Sequence, residues 1–120
     1  LVYGRDPKNK LKSLLDLKVN TLCLPLDKKK IHLHKLMEYL AETEINNLWV
    51  EAGPNLNGSL LELGLIDELI TYIAPILLGG NANSMFNNPV LKLVKNKIQL
   101  KLHDVRSVGP DLRIQSRVIR

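Results

Sequence analysis

Apolar and polar positions alternate along the first two thirds of the chain in a pattern that predicts strands separated by helices. Apolar runs of strand length occupy residues 1–3, 19–26, 46–52 and 67–75. Between them, leucines recur three and four residues apart, the spacing of one helical face. The order β-α-β-α-β-α-β predicts a parallel sheet with right-handed crossovers. The run at 67–75 is apolar on both faces and is predicted to lie in the middle of that sheet.

Each predicted helix has boundary signals. Asp6 and Pro7 form an N-cap followed by a proline at the first helical position, which predicts a short helix to about Leu17. A second helix is predicted to end near Glu44. Its apolar face carries Leu33, Leu36, Met37 and Leu40. The run "PNLNGSLLEL" predicts a third helix, with Gly64 well placed as its left-handed C-terminal residue.

The C-terminal third has a different pattern. Residues 76–89 are rich in glycine and asparagine and are typical of a loop. Residues 97–105 and 111–118 alternate apolar and polar positions around the turn "SVGPD", which predicts an antiparallel hairpin. The whole predicts an α/β fold in one domain, residues 1–120. We expect a three-layer mixed sheet, mostly parallel, with an antiparallel C-terminal hairpin.

Composition narrows the class of protein. The chain has 120 residues, of which 45% are hydrophobic and 24% charged, as in soluble globular domains. It has no apolar stretch near the roughly 20 residues that span a bilayer, so no membrane partner is expected. Its start has no signal-peptide layout, and Cys23, its one cysteine, excludes an internal disulfide. We therefore expect a cytoplasmic protein, with Cys23 in the core.

The net charge is +5, from 17 basic and 12 acidic residues. Much of the excess lies in Lys28–Lys30 and in the last 30 residues. The five aromatic residues are not interleaved with these lysines, so nucleic acid is not an expected partner. The lysines fit a solvated surface, and the charge could favour a small anionic ligand.

The stretch "VEAGPNLNGS" is the candidate site. In open parallel sheets, ligands bind beyond the carboxyl ends of the strands, where Glu51 is predicted to lie. The predicted loop from Gly53 to Ser59 leads into a helix N-terminus, where unpaired N–H groups and the helix dipole favour an anion. Glycine at both ends would let a phosphate approach the backbone, and side chains could add donors. The candidate residues are Gly53, Pro54, Asn55, Leu56, Asn57, Gly58 and Ser59.

The pattern alone leaves alternatives open. Gly53 and Gly58 have the spacing of a P-loop, but Ser59 and Leu60 replace its lysine and hydroxyl residue, and the dinucleotide fingerprint is absent. The stretch is therefore either an anion-binding loop or a plain strand-to-helix turn. Glu51 either bonds to neighbouring amides or accepts hydrogen bonds from a ligand.

At this point the residues resemble a known family. The segment "LWVEAGPNLNGSLLELGLIDELITYIAPILLG" is similar to the C-terminal reductase domain of the bacterial bifunctional riboflavin-biosynthesis deaminase–reductase. The likeness extends more loosely to "KLKSLLDLKVNTLCLPL", to the Met37 helix and to "HDVRSVGPDL". It implies a dihydrofolate-reductase-like fold and NADPH-dependent reduction of 5-amino-6-(5-phosphoribosylamino)uracil, with hydride delivered to C1′ of the opened sugar. It also implies that Glu51 contacts the substrate and that Gly53 to Ser59 hold NADP; the proton donor is left unassigned.

The sequence departs from the family pattern at several points. Ile76 stands where lysine is common after "YIAP", and Asn55 and Asn57 stand where threonine and a small residue are commoner. The zinc deaminase motifs H-x-E and P-C-x-x-C are absent, and no metal site is expected. His32 and His34 flank the second helix start, where capping or exposure is expected.

The resemblance implies that the chain is the C-terminal portion of a reductase domain, without its first half. Such a portion would expose apolar surface, and a homodimer is expected to cover it. Two other functions remain open: a non-catalytic nucleotide-binding or dimerisation module, and a reductase of another pteridine or pyrimidine. Whether the portion alone is active is also open.

Overall fold

The computed structural model describes residues 1–6, 8–87 and 97–119. The chain divides into two compact units, Leu1–Trp49 and Val50–Arg120. Helices and strands occur in both, so the protein is of the α/β type.

The first unit begins with a strand–helix–strand element. β1 (Val2–Tyr3) and β2 (Leu22–Cys23) pair in parallel, and α1 (Leu11–Asp16) connects them, as predicted. The Asp6 carboxylate accepts hydrogen bonds from the backbone N–H groups of Lys10 and Leu11, both at 2.8 Å. Asp6 therefore accepts hydrogen bonds at the start of α1, as a capping side chain does, but the helix begins at Leu11, later than predicted. Pro7 lies outside the described residues.

A tight hairpin that was not predicted follows. β3 (Leu26–Asp27) pairs antiparallel with β4 (Lys30–Ile31) across the two-residue connection Lys28–Lys29. Both lysines have positive φ angles, 46° and 69°, as a type I′ turn requires.

In α2 (Leu33–Glu42), the N-cap residue His32 accepts from the backbone N–H of Lys35 through Nδ1 at 3.4 Å, which confirms its capping role.

In its described residues, the second unit contains one helix and an antiparallel sheet. α3 spans Pro54–Glu62, and three strands follow: β5 (Glu68–Ile73), β6 (Gln99–Val108) and β7 (Asp111–Ile119). Their order is β5-β7-β6, and all neighbours are antiparallel. The predicted C-terminal hairpin is confirmed, with residues 109 and 110 as its two-residue turn.

The described strands do not show the predicted mostly parallel sheet. β1 and β2 form the parallel pair among them, whereas β5 lies at the edge of the antiparallel sheet instead of in the middle of a parallel one. Residues 46–52 belong to none of the three sheets, and Trp49 is 67% exposed. An apolar run indicates suitability for a strand, but a strand forms only where the fold supplies a neighbouring strand.

The helices α1, α2 and α3 end in the same hydrogen-bonded arrangement. At the end of α3, the N–H of Gly64 donates to the Leu61 carbonyl and the N–H of Leu65 to the Leu60 carbonyl, at 3.1 and 2.9 Å. This is a Schellman motif, and the φ of +66° at Gly64 confirms the prediction made for this residue. α1 and α2 end in the same way with Lys18 and Glu44 in the left-handed position.

A chain of hydrogen bonds crosses one face of the three-stranded sheet. Arg117 Nε and Gln115 Nε2 each donate to Glu68, at 3.0 Å. The Arg113 guanidinium then donates to the side-chain oxygen Oε1 of Gln115, at 3.1 Å, and to the Asp104 carboxylate, at 2.9 Å. The hydrogen bond from Gln115, followed by that from Arg117, lowers the pKa of the Glu68 carboxyl. These cross-strand links favour a single register of β5, β7 and β6.

Few described side chains are buried. Leu24 is buried in the first unit, and Leu60 and Ser116 in the second. Cys23, predicted in the core, is exposed because successive strand residues point to opposite faces and its neighbour Leu24 takes the inward position. Large apolar side chains such as Leu102, at 64%, remain exposed.

Candidate functional site

The candidate stretch is a helix start and not a loop. α3 begins at Pro54, directly after the N-cap residue Gly53, so the predicted loop over 53–59 is wrong. Gly53 has extended backbone angles (φ −79°, ψ 170°) and Pro54 occupies the first helical position. Proline has the helical φ built in and no N–H to satisfy, which explains why the helix starts this early.

The first turn of α3 has backbone N–H groups with no acceptor within the helix, and it contains no acidic residue. The helix ladder starts with the Asn57 N–H, which donates to the Gly53 carbonyl at 3.1 Å. The N–H groups of Asn55 and Leu56 precede that bond and have no acceptor within the helix. The first turn holds no acidic residue, and a Cβ added at Gly53 would meet nothing within 4 Å. An anion could therefore approach the positive end of the helix beside Gly53.

The Asn57 side chain fastens this helix start to two other segments. Its Nδ2 donates to the carbonyl oxygen of Ala52 at 3.1 Å and to that of Met85 at 3.2 Å. Both N–H bonds of the amide are thus used within the protein. Asn57 shapes the site and does not offer the ligand donor that the sequence suggested.

Asn87 lies against the first turn from the C-terminal side of the chain. Its backbone N–H donates to the Pro54 carbonyl at 2.9 Å, and its Nδ2 donates to Asn55 Oδ1 at 2.8 Å. Asn87 and Met85 are not among the residues predicted for the site, because both lie in a segment whose composition indicates only a loop. No local pattern marks a contact between residues 32 positions apart.

Gly58 is buried where Asn87 crosses the helix. A Cβ added at Gly58 would lie 2.2 Å from the Asn87 carbonyl oxygen and 2.8 Å from its carbonyl carbon. The close approach that glycine allows here is therefore that of another backbone segment. The sequence had suggested a phosphate in that position.

The remaining candidates differ in exposure. The Ser59 hydroxyl donates to the Asn55 carbonyl one turn back, at 3.0 Å, so its hydrogen is used within the helix. Leu56 is 43% exposed. Glu51 is exposed, and residues 46–50 before it belong to none of the described sheets. The expectation that Glu51 ends a buried strand is therefore wrong. Glu51 and Gly53 are both solvent-accessible near the helix start.

In residues 1–6, 8–87 and 97–119, no three histidine, cysteine or acidic side chains are grouped so that they could hold a metal ion. Across the same described residues, no helix is both long and apolar enough to cross a membrane.

Comparisons with known proteins agree on one family. The model of the RibD C-terminal domain matches residues 2–114. The chain is 47% identical over 94 residues to the riboflavin biosynthesis protein RibD of Escherichia coli K12, covering 78% of this chain and 26% of that protein. It is 42% identical over 86 residues to a 5-amino-6-(5-phosphoribosylamino)uracil reductase of Buchnera aphidicola, covering 72% of this chain and 42% of that protein.

Solved structures show the same relationship. RibD of Acinetobacter baumannii superposes with a TM-score of 0.77 at 32% identity, over 90% of this chain and 29% of that one. A pyrimidine reductase-like protein of Corynebacterium diphtheriae shares the fold, with a TM-score of 0.81 at 21% identity, over 99% of this chain and 49% of that one. The chain thus spans less than half the length of these relatives. With its family model matched over nearly the full sequence, the chain belongs to the RibD C-terminal domain family.

Proposed function

We propose that this chain supplies the cofactor-binding part of an NADPH-dependent reductase in riboflavin biosynthesis. The reaction is the reduction of 5-amino-6-(5-phosphoribosylamino)uracil to its ribitylamino product. Family membership supports the proposal, as does the Buchnera aphidicola relative, which carries the name of this reductase.

The observation that carries the proposal is the start of α3. Gly53 is open to solvent, Pro54 leads the helix, and the first turn itself contains no acidic residue. NADPH carries a pyrophosphate and a 2′-phosphate, which are the anions that such a helix start favours. The net charge of +5 adds a favourable long-range field.

The proposed roles divide within the stretch. The backbone at Gly53, Asn55 and Leu56 would contact a cofactor phosphate. Pro54, Asn57, Gly58 and Ser59 would hold that backbone in shape through the contacts described above. Glu51 would accept hydrogen bonds from the pyrimidine substrate.

When bound, NADPH would supply a hydride to C1′ of the opened sugar, where the protonated C1′–N double bond becomes a single bond and the nitrogen keeps the electron pair and its proton. The protein's own contribution is to bind both molecules and orient them, which can account for much of the rate of such a reaction. The backbone N–H groups at the start of α3 would hold the cofactor, and the Glu51 carboxylate would hold the substrate beside it.

We expect Glu51→Gln to reduce kcat/KM for the pyrimidine substrate by about 10- to 100-fold, because a charge-assisted hydrogen bond is lost. The dissociation constant for NADPH should change by less than about twofold if Glu51 contacts only the substrate. Steady-state kinetics and a fluorescence titration with NADPH, on the full-length protein, measure the two effects. Glu62→Gln, at the other end of α3, is the matched control.

Two results would reject the proposal. One is a wild-type protein that does not bind NADPH at millimolar concentration. The other is an equal loss of substrate use and cofactor affinity in Glu51→Gln, which would indicate a structural role. A protein that binds NADPH without oxidising it in the presence of the substrate would instead be a nucleotide-binding module.

Residues 46–52 lie outside the described sheets, although their sequence suits a strand. We propose that residues 46–52 join a larger, mostly parallel, dihydrofolate-reductase-like sheet where a neighbouring strand is present, since the longer relatives share the fold.

We also propose a homodimer, because large apolar side chains such as Leu102 and Ile76 are exposed. A cytoplasmic location suits a reductive pathway and the single exposed thiol of Cys23.

A further inference from the structure

Three short segments are joined by hydrogen bonds at the start of α3. They are Ala52, which precedes the helix; residues 54–58 of the helix itself; and residues 85–87, which are distant in sequence. Asn57 joins the first segment to the third through its side-chain amide. Asn87 joins the third to the helix. We name this set of contacts the asparagine clasp.

Asn87 contacts the helix in three ways. Its N–H bonds to the Pro54 carbonyl at 2.9 Å, its side chain bonds to Asn55 Oδ1 at 2.8 Å, and its carbonyl lies on the bare backbone of Gly58. A carbonyl oxygen has two lone pairs, so Pro54 can accept this bond in addition to its helical one. The contacts restrain the part of a helix that otherwise frays most readily.

We infer that Asn87 is a positioning residue for the cofactor site proposed above. It acts through Asn55, whose side chain it holds and whose backbone N–H is one of the two first-turn donors proposed to contact a phosphate. A donor that is fixed before the ligand arrives loses less conformational freedom on binding than a mobile one. The inference rests on the proposed function, because the ligand it concerns is NADPH.

The clasp also determines which side of the helix start a ligand can use. Residue 87 covers Gly58 and the Pro54 carbonyl, whereas a Cβ at Gly53 would have open space around it. The cofactor phosphate therefore binds on the Gly53 side of α3. Asn87 shapes the site from the opposite side and does not touch the ligand.

The test is an NADPH titration of the full-length protein and its Asn87→Ala variant. Losing the Asn87–Asn55 hydrogen bond should raise the NADPH dissociation constant by about 3- to 10-fold. The KM for the pyrimidine substrate and kcat at saturating NADPH should change by less than about twofold. Asn83→Ala, at an exposed position of the same segment, is the control and should leave the dissociation constant unchanged.

A double-mutant cycle separates positioning from general destabilisation. If Asn87 acts through Asn55, the double variant Asn55→Ala/Asn87→Ala should bind NADPH as weakly as Asn55→Ala alone. Reversible partial unfolding would itself raise the apparent dissociation constant, by the reciprocal of the folded fraction. Far-UV circular dichroism and thermal unfolding of each variant therefore measure the folded fraction under the titration conditions, and the dissociation constants are compared after correction for it.

Three outcomes overturn the inference. An unchanged dissociation constant in Asn87→Ala, or additive effects in the cycle, removes the positioning role while the proposed function stands. Absence of NADPH binding by the wild-type protein removes both. Weaker binding in Asn87→Ala that is not additive with Asn55→Ala supports the inference.

Discussion

At the scale of single residues, Gly58 shows that one glycine spacing is compatible with two quite different roles. Its spacing from Gly53 suggested a phosphate-binding loop, but its neighbour in the structure is the backbone of Asn87. Asn55 and Asn57, the two positions that depart from the usual family residues, both bond to the segment that covers Gly58. The helix start and its covering segment are thus matched to each other.

Gly58→Ala should lower the free energy of unfolding by about 1–3 kcal/mol, as for overpacked positions. Alanine would favour the helix by about 1 kcal/mol, but its Cβ would lie 2.2 Å from a backbone oxygen that cannot rotate away, so the steric cost wins. Denaturant unfolding measures the change. Gly79→Ala, where a Cβ meets nothing within 4 Å, should stay within about 0.5 kcal/mol. Equal stability of the two variants would contradict the packing role.

At the scale of elements, the termini of helices and strands depend on local chemistry. Gly64 ends α3 without strain, whereas Lys18 and Glu44 adopt the same left-handed conformation at the ends of α1 and α2. Lys28 and Lys29 adopt it together in the hairpin between β3 and β4. Side chains with a Cβ make this conformation costly, by roughly 1–2 kcal/mol per residue.

Replacing the hairpin turn by Lys28→Asn/Lys29→Gly should therefore stabilise the protein by about 1–2 kcal/mol, because asparagine and glycine favour type I′ turns. Thermal and denaturant unfolding would show the gain. The control Lys28→Gln/Lys29→Gln removes the same two charges and keeps the strained backbone. A gain of equal size in the control would attribute the effect to charge repulsion and reject the conformational explanation.

The sheet of β5, β7 and β6 should show a pH dependence centred on Glu68. Its pKa is lowered below the ordinary value of 4.5, so its contribution to stability is present above that pH and is lost as the pH falls through the folded-state pKa. Glu68→Gln should lose stability near pH 7 and show a smaller further decrease toward about pH 3 than the wild type. Unfolding curves at several pH values measure this. Parallel decreases in both proteins would exclude Glu68 as the titrating group.

At the scale of the whole molecule, exposed apolar surface is the main feature. Trp49, Ile76 and Leu102 are 67%, 66% and 64% exposed. Isolated apolar side chains on a surface are common, but many large ones in so small a chain indicate surfaces that another body covers. In the proposed homodimer, a second copy would cover part of this surface.

Light scattering should give a mass of about twice 13.6 kDa, and Leu102→Lys should shift the protein toward the monomer, because a charge in an apolar interface is costly. Lys101→Glu, which lies on the other face of the same strand, is the control and should leave the mass unchanged. A wild-type mass that stays at 13.6 kDa across concentrations would reject the homodimer.

The sequence by itself determined the features that depend on neighbouring residues. The three helices, the left-handed Gly64, the capping by His32 and the C-terminal hairpin all follow from short-range spacing and turn chemistry, and the structure confirms them. Strand partners were decided only in the tertiary structure. An apolar run such as 67–75 suits a parallel or an antiparallel neighbour equally well, and the register between Glu68 and Arg117 joins residues 49 positions apart.

The site divides in the same way. The sequence indicated an anion-binding loop that leads from Gly53 into a helix N-terminus, because the glycine spacing and the helix that follows are local signals. The structure starts the helix at Pro54 instead. The sequence could not indicate that Asn87 and Met85 would hold that helix, because those contacts span 32 and 28 positions. Which glycine faces open space and which faces another backbone depends on packing between distant segments, and no local spacing encodes it.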